Sequence, residues 1–206
     1  MYGLLRKYGW ILGLVIVAIV GGTAWSAWRN DQQTAQAQAL GDGILAALET
    51  SEPAARAASL GQVLVEDPGA DATRRFLQAA AQLEAEDANA ARETLLGIEN
   101  NADIPMVYRQ IASFKGLALA GEVLSVDERR AGFEALAGAN SGLRLLAEEQ
   151  IGLIEIETGD AQAAITRFQA ILDDQESTQG LQQRAAQVIV ALGGEPDLSR
   201  FENQGN

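Results

Sequence analysis

The chain has 206 residues, with 15 Lys and Arg against 28 Asp and Glu and neither His nor Cys. Without cysteine there is no disulfide or thiolate chemistry, and without histidine the Ser-His-Asp, Cys-His and His-ligated zinc sites are excluded by composition. The formal charge of −13 opposes binding to nucleic acid or to anionic lipid headgroups.

The run from Tyr8 to Trp28, YGWILGLVIVAIVGGTAWSAW, contains no charged side chain. About 20 apolar helical residues span the ~30 Å hydrocarbon core of a bilayer, so residues 8–28 are expected to be a transmembrane anchor. Tyr8 and Trp10 mark one interface, and Trp25 and Trp28 the other. Arg6 and Lys7 precede the run and place residues 1–7 in the cytoplasm by the positive-inside bias; the rest is then exported. Residues 31–206 keep 12 bases against 28 acids, a charge of −16. A cleaved signal peptide, with small residues at Ala24 and Ser26, is the alternative. The apolar run exceeds the ~7–15 residues of a signal h-region, and two tryptophans surround any cut, which favours retention. Gly9 and Gly13 form a GxxxG where a second membrane helix could approach, although glycine is also common on lipid-facing surfaces.

Beyond the anchor the composition is rich in Ala and Leu, and the ectodomain is expected to be all-helical with one core. Residues 29–50 read as a stalk or first helix, with Leu40, Ile44, Leu45 and Leu48 at helical spacing and Gly41 and Gly43 as possible breaks. Ser51-Glu52-Pro53 opens a second helix, expected to run to Glu66 and to end at Asp67-Pro68-Gly69. Further helices are expected over Asp71–Ala85, Ala88–Ile98, Pro105–Leu119, Ser125–Leu136, Leu143–Thr158, Ala161–Leu172 and from Ser177 to Leu192. The sixth starts at a capping box, Ser125 to Glu128. Residues 193–206 are expected to be a flexible tail.

The order helix, tight turn, helix recurs. In Glu148–Leu172, Gly152, the turn pair Gly159-Asp160, then Ala164, Phe168 and Ile171 fall at the spacing of a tetratricopeptide repeat. Aligning Asp87 with Asp160 sets Ala91 on Ala164, Leu95 on Phe168 and Ile98 on Ile171, a displacement of 73 residues or two periods. Small residues let paired helices approach, and the aromatic fills the gap to the next helix. Arg129 stands where a small residue is expected, and Glu155 where an aromatic is. The expected fold is therefore all-α: one N-terminal transmembrane helix followed by an α-solenoid of tetratricopeptide-like hairpins over residues 51–192.

The layout of a short basic tail, one membrane helix, the segment GILAALET at Gly43–Thr50 and the Gly159-Asp160 unit resembles the ancillary SecYEG translocon subunits, the YfgM-like proteins. The resemblance covers Arg6 to about Leu192. It implies a single-pass protein of the bacterial inner membrane with its C-terminal domain in the periplasm. It also implies Sec translocon subunits and a membrane-anchored chaperone of the PpiD type as partners, and assistance to emerging proteins.

Two functions fit the residues: an interaction module whose first helices hold a partner, or a structural accessory subunit braced against another inner-membrane complex. Candidate contact residues on the first helices are Arg75, Gln78, Gln82, Tyr108, Arg109, Lys115, Glu148, Glu149 and Glu155, any of which can equally be a solvated face. An enzyme is disfavoured. The acid pairs Glu148-Glu149 and Asp173-Asp174 are adjacent on helices and do not face one another, and no phosphate-binding loop follows a strand. No cofactor, metal, nucleic acid or small-molecule substrate is implied.

Overall fold

A computed structural model describes residues 37–121, 123–138 and 141–197. The expected anchor over residues 8–28, with Tyr8, Trp10, Gly13, Trp25 and Trp28, lies outside them, as do the tail over 1–7 and residues 198–206. No helix among the described residues is long and apolar enough to cross a membrane. The described chain is helical, with no strand: α1 covers residues 37–48, followed by α2 (Pro53–Gln62), α3 (Pro68–Glu84), α4 (Ala88–Glu99), α5 (Met106–Ala118), α6 (Val126–Gly138), α7 (Arg144–Glu157), α8 (Ala161–Asp173) and α9 (Gln179–Ala191).

Most helix starts are built by one short polar side chain. The Oδ1 atoms of Asp67, Asp87 and Asp160 accept from the N–H of Ala70, Ala90 and Ala163 at 2.8, 2.9 and 3.0 Å, and Thr178 caps α9. The capping box is closed: the Ser125 N–H donates to Glu128 at 2.8 Å and the Glu128 N–H to the Ser125 hydroxyl at 3.3 Å. The Ser125 hydroxyl, which donates to the Glu128 carboxylate at 2.7 Å, and the Ser125 N–H hold that carboxyl below its usual range.

Asp67-Pro68-Gly69 does not end the second helix, as its composition suggests. It begins the third, with Asp67 as N-cap and Pro68 at the first helical position, where the missing N–H is harmless. The α2 helix stops four residues earlier than expected, at Gln62. There two β-branched residues, Val63 and Val65, enter an extended stretch over residues 63–66. The described part of the 29–50 segment is not a free stalk either. It stays helical through Gly41 and Gly43, and Ile44 and Ala47 pack with Ala57, Leu60, Val63 and Ala81.

Instead of one core, four local clusters follow one another along the array. Ala47, Ala57, Leu60 and Ala81 join α1 to α3; Ala79, Ala91, Leu95, Ile98 and Ala112 join α3 to α5. Phe133, Leu136, Ala147 and Ile151 join α6 to α7, with Phe114 and Leu117 of α5 against them; Ala164, Phe168, Ile171, Ala185 and Ile189 join α8 to α9. Consecutive helices pack closely along the array, and α5 meets α6 most lightly. That contact includes an edge-on pair, Phe114 and Phe133, with ring centres 5.6 Å apart, and Leu117 packed on Gly132.

The 73-residue register is reproduced in the backbone. At the end of α3 the N–H groups of Glu86 and Asp87 donate to the carbonyls of Leu83 and Gln82 at 3.0 and 2.9 Å. At the end of α7 those of Gly159 and Asp160 donate to Ile156 and Glu155 at 3.0 and 2.8 Å. Both are Schellman turns with a left-handed residue, and Gly193 repeats the device after α9. Gly159 has φ 83°, a conformation free to glycine; the first turn places Glu86 there at φ 62°. A side chain in this region costs about 1–2 kcal/mol, partly offset by the lower unfolded-state entropy of a non-glycine residue. Glu86→Gly is therefore expected to stabilise the chain by about 0.5–1 kcal/mol, and Gly159→Ala to destabilise it by a similar amount. Paired urea titrations check both signs.

The expectation of a flexible tail from residue 193 is corrected for its first five residues. Gly194 sits where an added Cβ would lie 3.0 Å from Ile189 and 3.3 Å from Ile165. The Asp197 N–H donates to Gln169 at 3.0 Å, and the Gln169 amide donates to the Asp197 carbonyl at 3.2 Å. Residues 193–197 thus strap the open end of the α8–α9 pair.

Candidate partner-binding grooves

The repeat-packing residues stand where the register requires. Ala91, Leu95, Ile98, Ala164, Phe168 and Ile171 are buried. Gly152 is buried directly against Phe168, whose ring edge lies 2.8 Å from the place a Cβ would occupy. Asp160 caps α8. Polar residues recur at the same displacement. On the first hairpin the Thr94 hydroxyl donates to Gln82 at 2.8 Å. On the second, Arg167 and Glu155 occupy the equivalent positions, 73 residues on. Arg167 donates from Nε to the two Glu155 carboxyl oxygens at 3.1 and 3.0 Å, and from Nη2 at 2.7 Å.

Gln82 of the first pair and both members of the second border depressions. Along α7 and α8 runs an open groove of about 680 Å³, lined by Glu148, Glu155, Arg167 and Arg144 with an apolar strip that includes Leu145 and Ile171. A smaller groove of about 250 Å³ lies against α3 and α4, lined by Gln78, Gln82, Asp87 and Ala90, with α2 at its side. Gln82, Asp87 and Ala90 match Glu155, Asp160 and Ala163 of the larger groove residue for residue. An apolar strip beside paired charges in the larger groove, and alanines beside Gln78, Gln82 and Asp87 in the smaller one, give surfaces that can hold a polypeptide segment along a helix pair.

Glu155 is the electrostatic centre of the larger groove. It is 5 % exposed, and Arg130 of α6 approaches it at 3.5 Å from the side opposite in sequence to Arg167 of α8. Arg167 also pairs with Glu148. The Glu155 hydrogen bonds raise the Arg167 pKa further, against the opposing effect of burial. At the groove's end Arg144 bridges Asp174 at 2.9 Å and Glu176 at 2.8 Å. Glu149 turns away toward α9 and accepts from Arg184 at 2.7 and 3.0 Å. Glu148 and Glu149 thus serve different neighbours, as adjacent helical positions must.

The contact face expected on the first helices is largely drawn into the seams between helices. Glu155 is a correction in this respect: it lines the groove, but as a buried ion-pair centre and not as an exposed contact. Arg75 binds Asp71 at 2.7 Å and lies over Gly97. Gln78 accepts from Arg74 at 3.1 Å and covers Gly61. Tyr108 is half-buried against Phe76, ring centres 6.5 Å apart. Arg109 is half-buried with its Nε enclosed and without a hydrogen-bond partner. Of these five residues only Gln78 and Glu155 border a groove. Asp173 accepts from Gln169 at 3.1 Å, and no group of three or more carboxylates is gathered for a metal among the described residues.

Sequence reasoning passed over Arg74, the most deeply engaged cation of α3. It is 7 % exposed and donates to the Leu60 carbonyl at the end of α2 at 3.0 Å, to Gln78, and to Asp71 at 2.7 and 3.0 Å. Burial pushes the Asp71 pKa up, but hydrogen bonds from Arg74 and Arg75 and the charges of both outweigh it, leaving the carboxyl below its usual value. An Arg on the apolar side of a helix is a local signal that could have identified it: it must find acceptors there or not be buried.

No protein-family model, curated protein or solved structure matches the chain.

Proposed function

We propose that the chain is a membrane-anchored protein–protein interaction module, held by residues 8–28 in a bacterial inner membrane with its helical hairpins in the periplasm. There it works beside the Sec translocon and a membrane-anchored chaperone, as the likeness to the YfgM-like layout implies. The observation that carries the reading is the recurrence, 73 residues apart, of the same turn, of a polar pair at equivalent inter-helix positions and of a groove with three equivalent lining residues. Repeated hairpins with repeated grooves suit contact with extended segments of other chains.

A structural accessory subunit is the second reading, favoured by the fate of the expected contact face. Glu155 ties α7 to α8 through Arg167, and Arg75 and Gln78 lie against Gly97 of α4 and Gly61 of α2, as a brace requires. In-cell photo-cross-linking separates the two. Probes at Gly13 for the anchor, and at Gln162 and Thr166, both exposed on the larger groove, are expected to capture translocon or chaperone subunits at the first site. At the other two, heterogeneous exported chains are expected. One fixed set of subunits at all three sites overturns the first reading in favour of the second.

A further inference from the structure

The two ends of the described array differ. After α9 the chain doubles back and Asp197 is tied to Gln169 of α8, leaving Val190 of α9 exposed, whereas the α1 end has three exposed leucines. Leu45 is 61 % exposed, Leu48, one turn on, 39 %, and Leu64 94 %. Val63 packs on Gly43, its Cγ1 lying 3.4 Å from where a Cβ would stand, which brings the chain at residue 63 against α1, with Leu64 the next residue. End repeats of such arrays need either a polar outer face or a cover. This one has leucines.

The charge around these leucines selects the cover. Between residues 37 and 75 there are six acids, among them Asp42, Glu49, Glu52 and Glu66, and three bases, of which Arg56 is paired with Glu84 at 2.8 Å and Arg74 and Arg75 with Asp71. A second copy would bring acid against acid, and anionic lipid would be repelled for the same reason. We propose that the α1 end, with Leu45, Leu48 and Leu64, is a docking surface for a different protein, which presents an apolar patch flanked by Lys and Arg. This surface is separate from the grooves of α3–α4 and α7–α8, and its occupancy does not depend on their function.

The full chain, held in nanodiscs of uncharged phosphatidylcholine, tests this with two synthetic amphipathic helical peptides. They share one leucine face; one is flanked by lysines and the other by glutamates. Fluorescence anisotropy is expected to show binding of the lysine peptide only, weakened about tenfold by salt on the order of 0.5 M. Leu45→Ser combined with Leu64→Ser is expected to weaken it about tenfold, while Val190→Ser, at the exposed far end, leaves it unchanged. Because these leucines are exposed, thermal unfolding of the variants should match the parent. Equal binding of both peptides, no binding of either, or equal loss with Val190→Ser overturns the proposal. A photo-reactive residue at position 64 in cell membranes gives the second reading. Cross-links to a basic-flanked segment of another protein support the proposal, and cross-links to residues 1–36 of the same chain, to a second copy or to lipid overturn it.

Discussion

Replacing Arg74 by Met is expected to lower stability by about 3–5 kcal/mol, the usual consequence of removing one partner of a buried ion pair. The methionine keeps much of the volume, so the loss reports the polar contacts: the Leu60 carbonyl and the Gln78 amide oxygen each lose a donor, and Asp71 keeps only Arg75. At about 2–4 °C per kcal/mol for a chain of this size, the melting temperature should fall by roughly 10 °C. The effect has a pH signature. Asp71 has a lowered pKa in the folded chain, so its contribution is complete above the ordinary Asp value of about 3.9 and is lost as pH falls below it through the folded value. The gap between parent and Arg74→Met should therefore be full at neutral pH and narrow below about pH 4. A gap that stays constant down to pH 2 would show that Asp71 takes no part. Calorimetry over that range makes the comparison.

The second large effect is expected at Phe168→Ala, at about 3–5 kcal/mol, because Phe168 is fully buried and its removal opens a cavity between α7 and the α8–α9 pair. The ring edge already lies against Gly152 so closely that an added Cβ there must displace it. Gly152→Ala alone should thus cost about 1–2 kcal/mol despite the better helix propensity of alanine. In the Phe168→Ala background the same methyl enters empty space and should be neutral or stabilising. A double-mutant cycle by urea denaturation reads this coupling, and simple additivity would sink the claim that the two positions share one contact.

The helical class and the 73-residue register were legible in the sequence because each rests on local chemistry. Asp87 and Asp160 cap their helices through bonds three residues long, and Ala91, Leu95 and Ile98 recur as Ala164, Phe168 and Ile171 at the period that packing demands. Asp67-Pro68-Gly69 was ambiguous for a physical reason: aspartate before proline suits the start of a helix as well as the turn after one, and here α2 has already ended at Gln62 and the Asp67 carboxylate accepts from the Ala70 N–H. The candidate site was less legible. A glutamate at position 155 reads as exposed until Arg167, twelve residues later, and Arg130 of another helix are seen to enclose it. Arg74 was missed likewise, since its acceptor at Leu60 is fourteen residues away. Partners of these two side chains lie on other helices, and neither position alone announces them.

The division of the interior into four local clusters bears on how such a chain can change length. Each cluster is closed by consecutive helices, so a hairpin gained or lost at a turn alters two neighbouring surfaces and leaves the others intact. Two hairpin blocks that share a turn, a polar-pair position and three groove positions at a constant offset are suited to exchange as units. The Gln82–Thr94 and Glu155–Arg167 pairs fill that shared position differently, neutral in one block and ionic in the other.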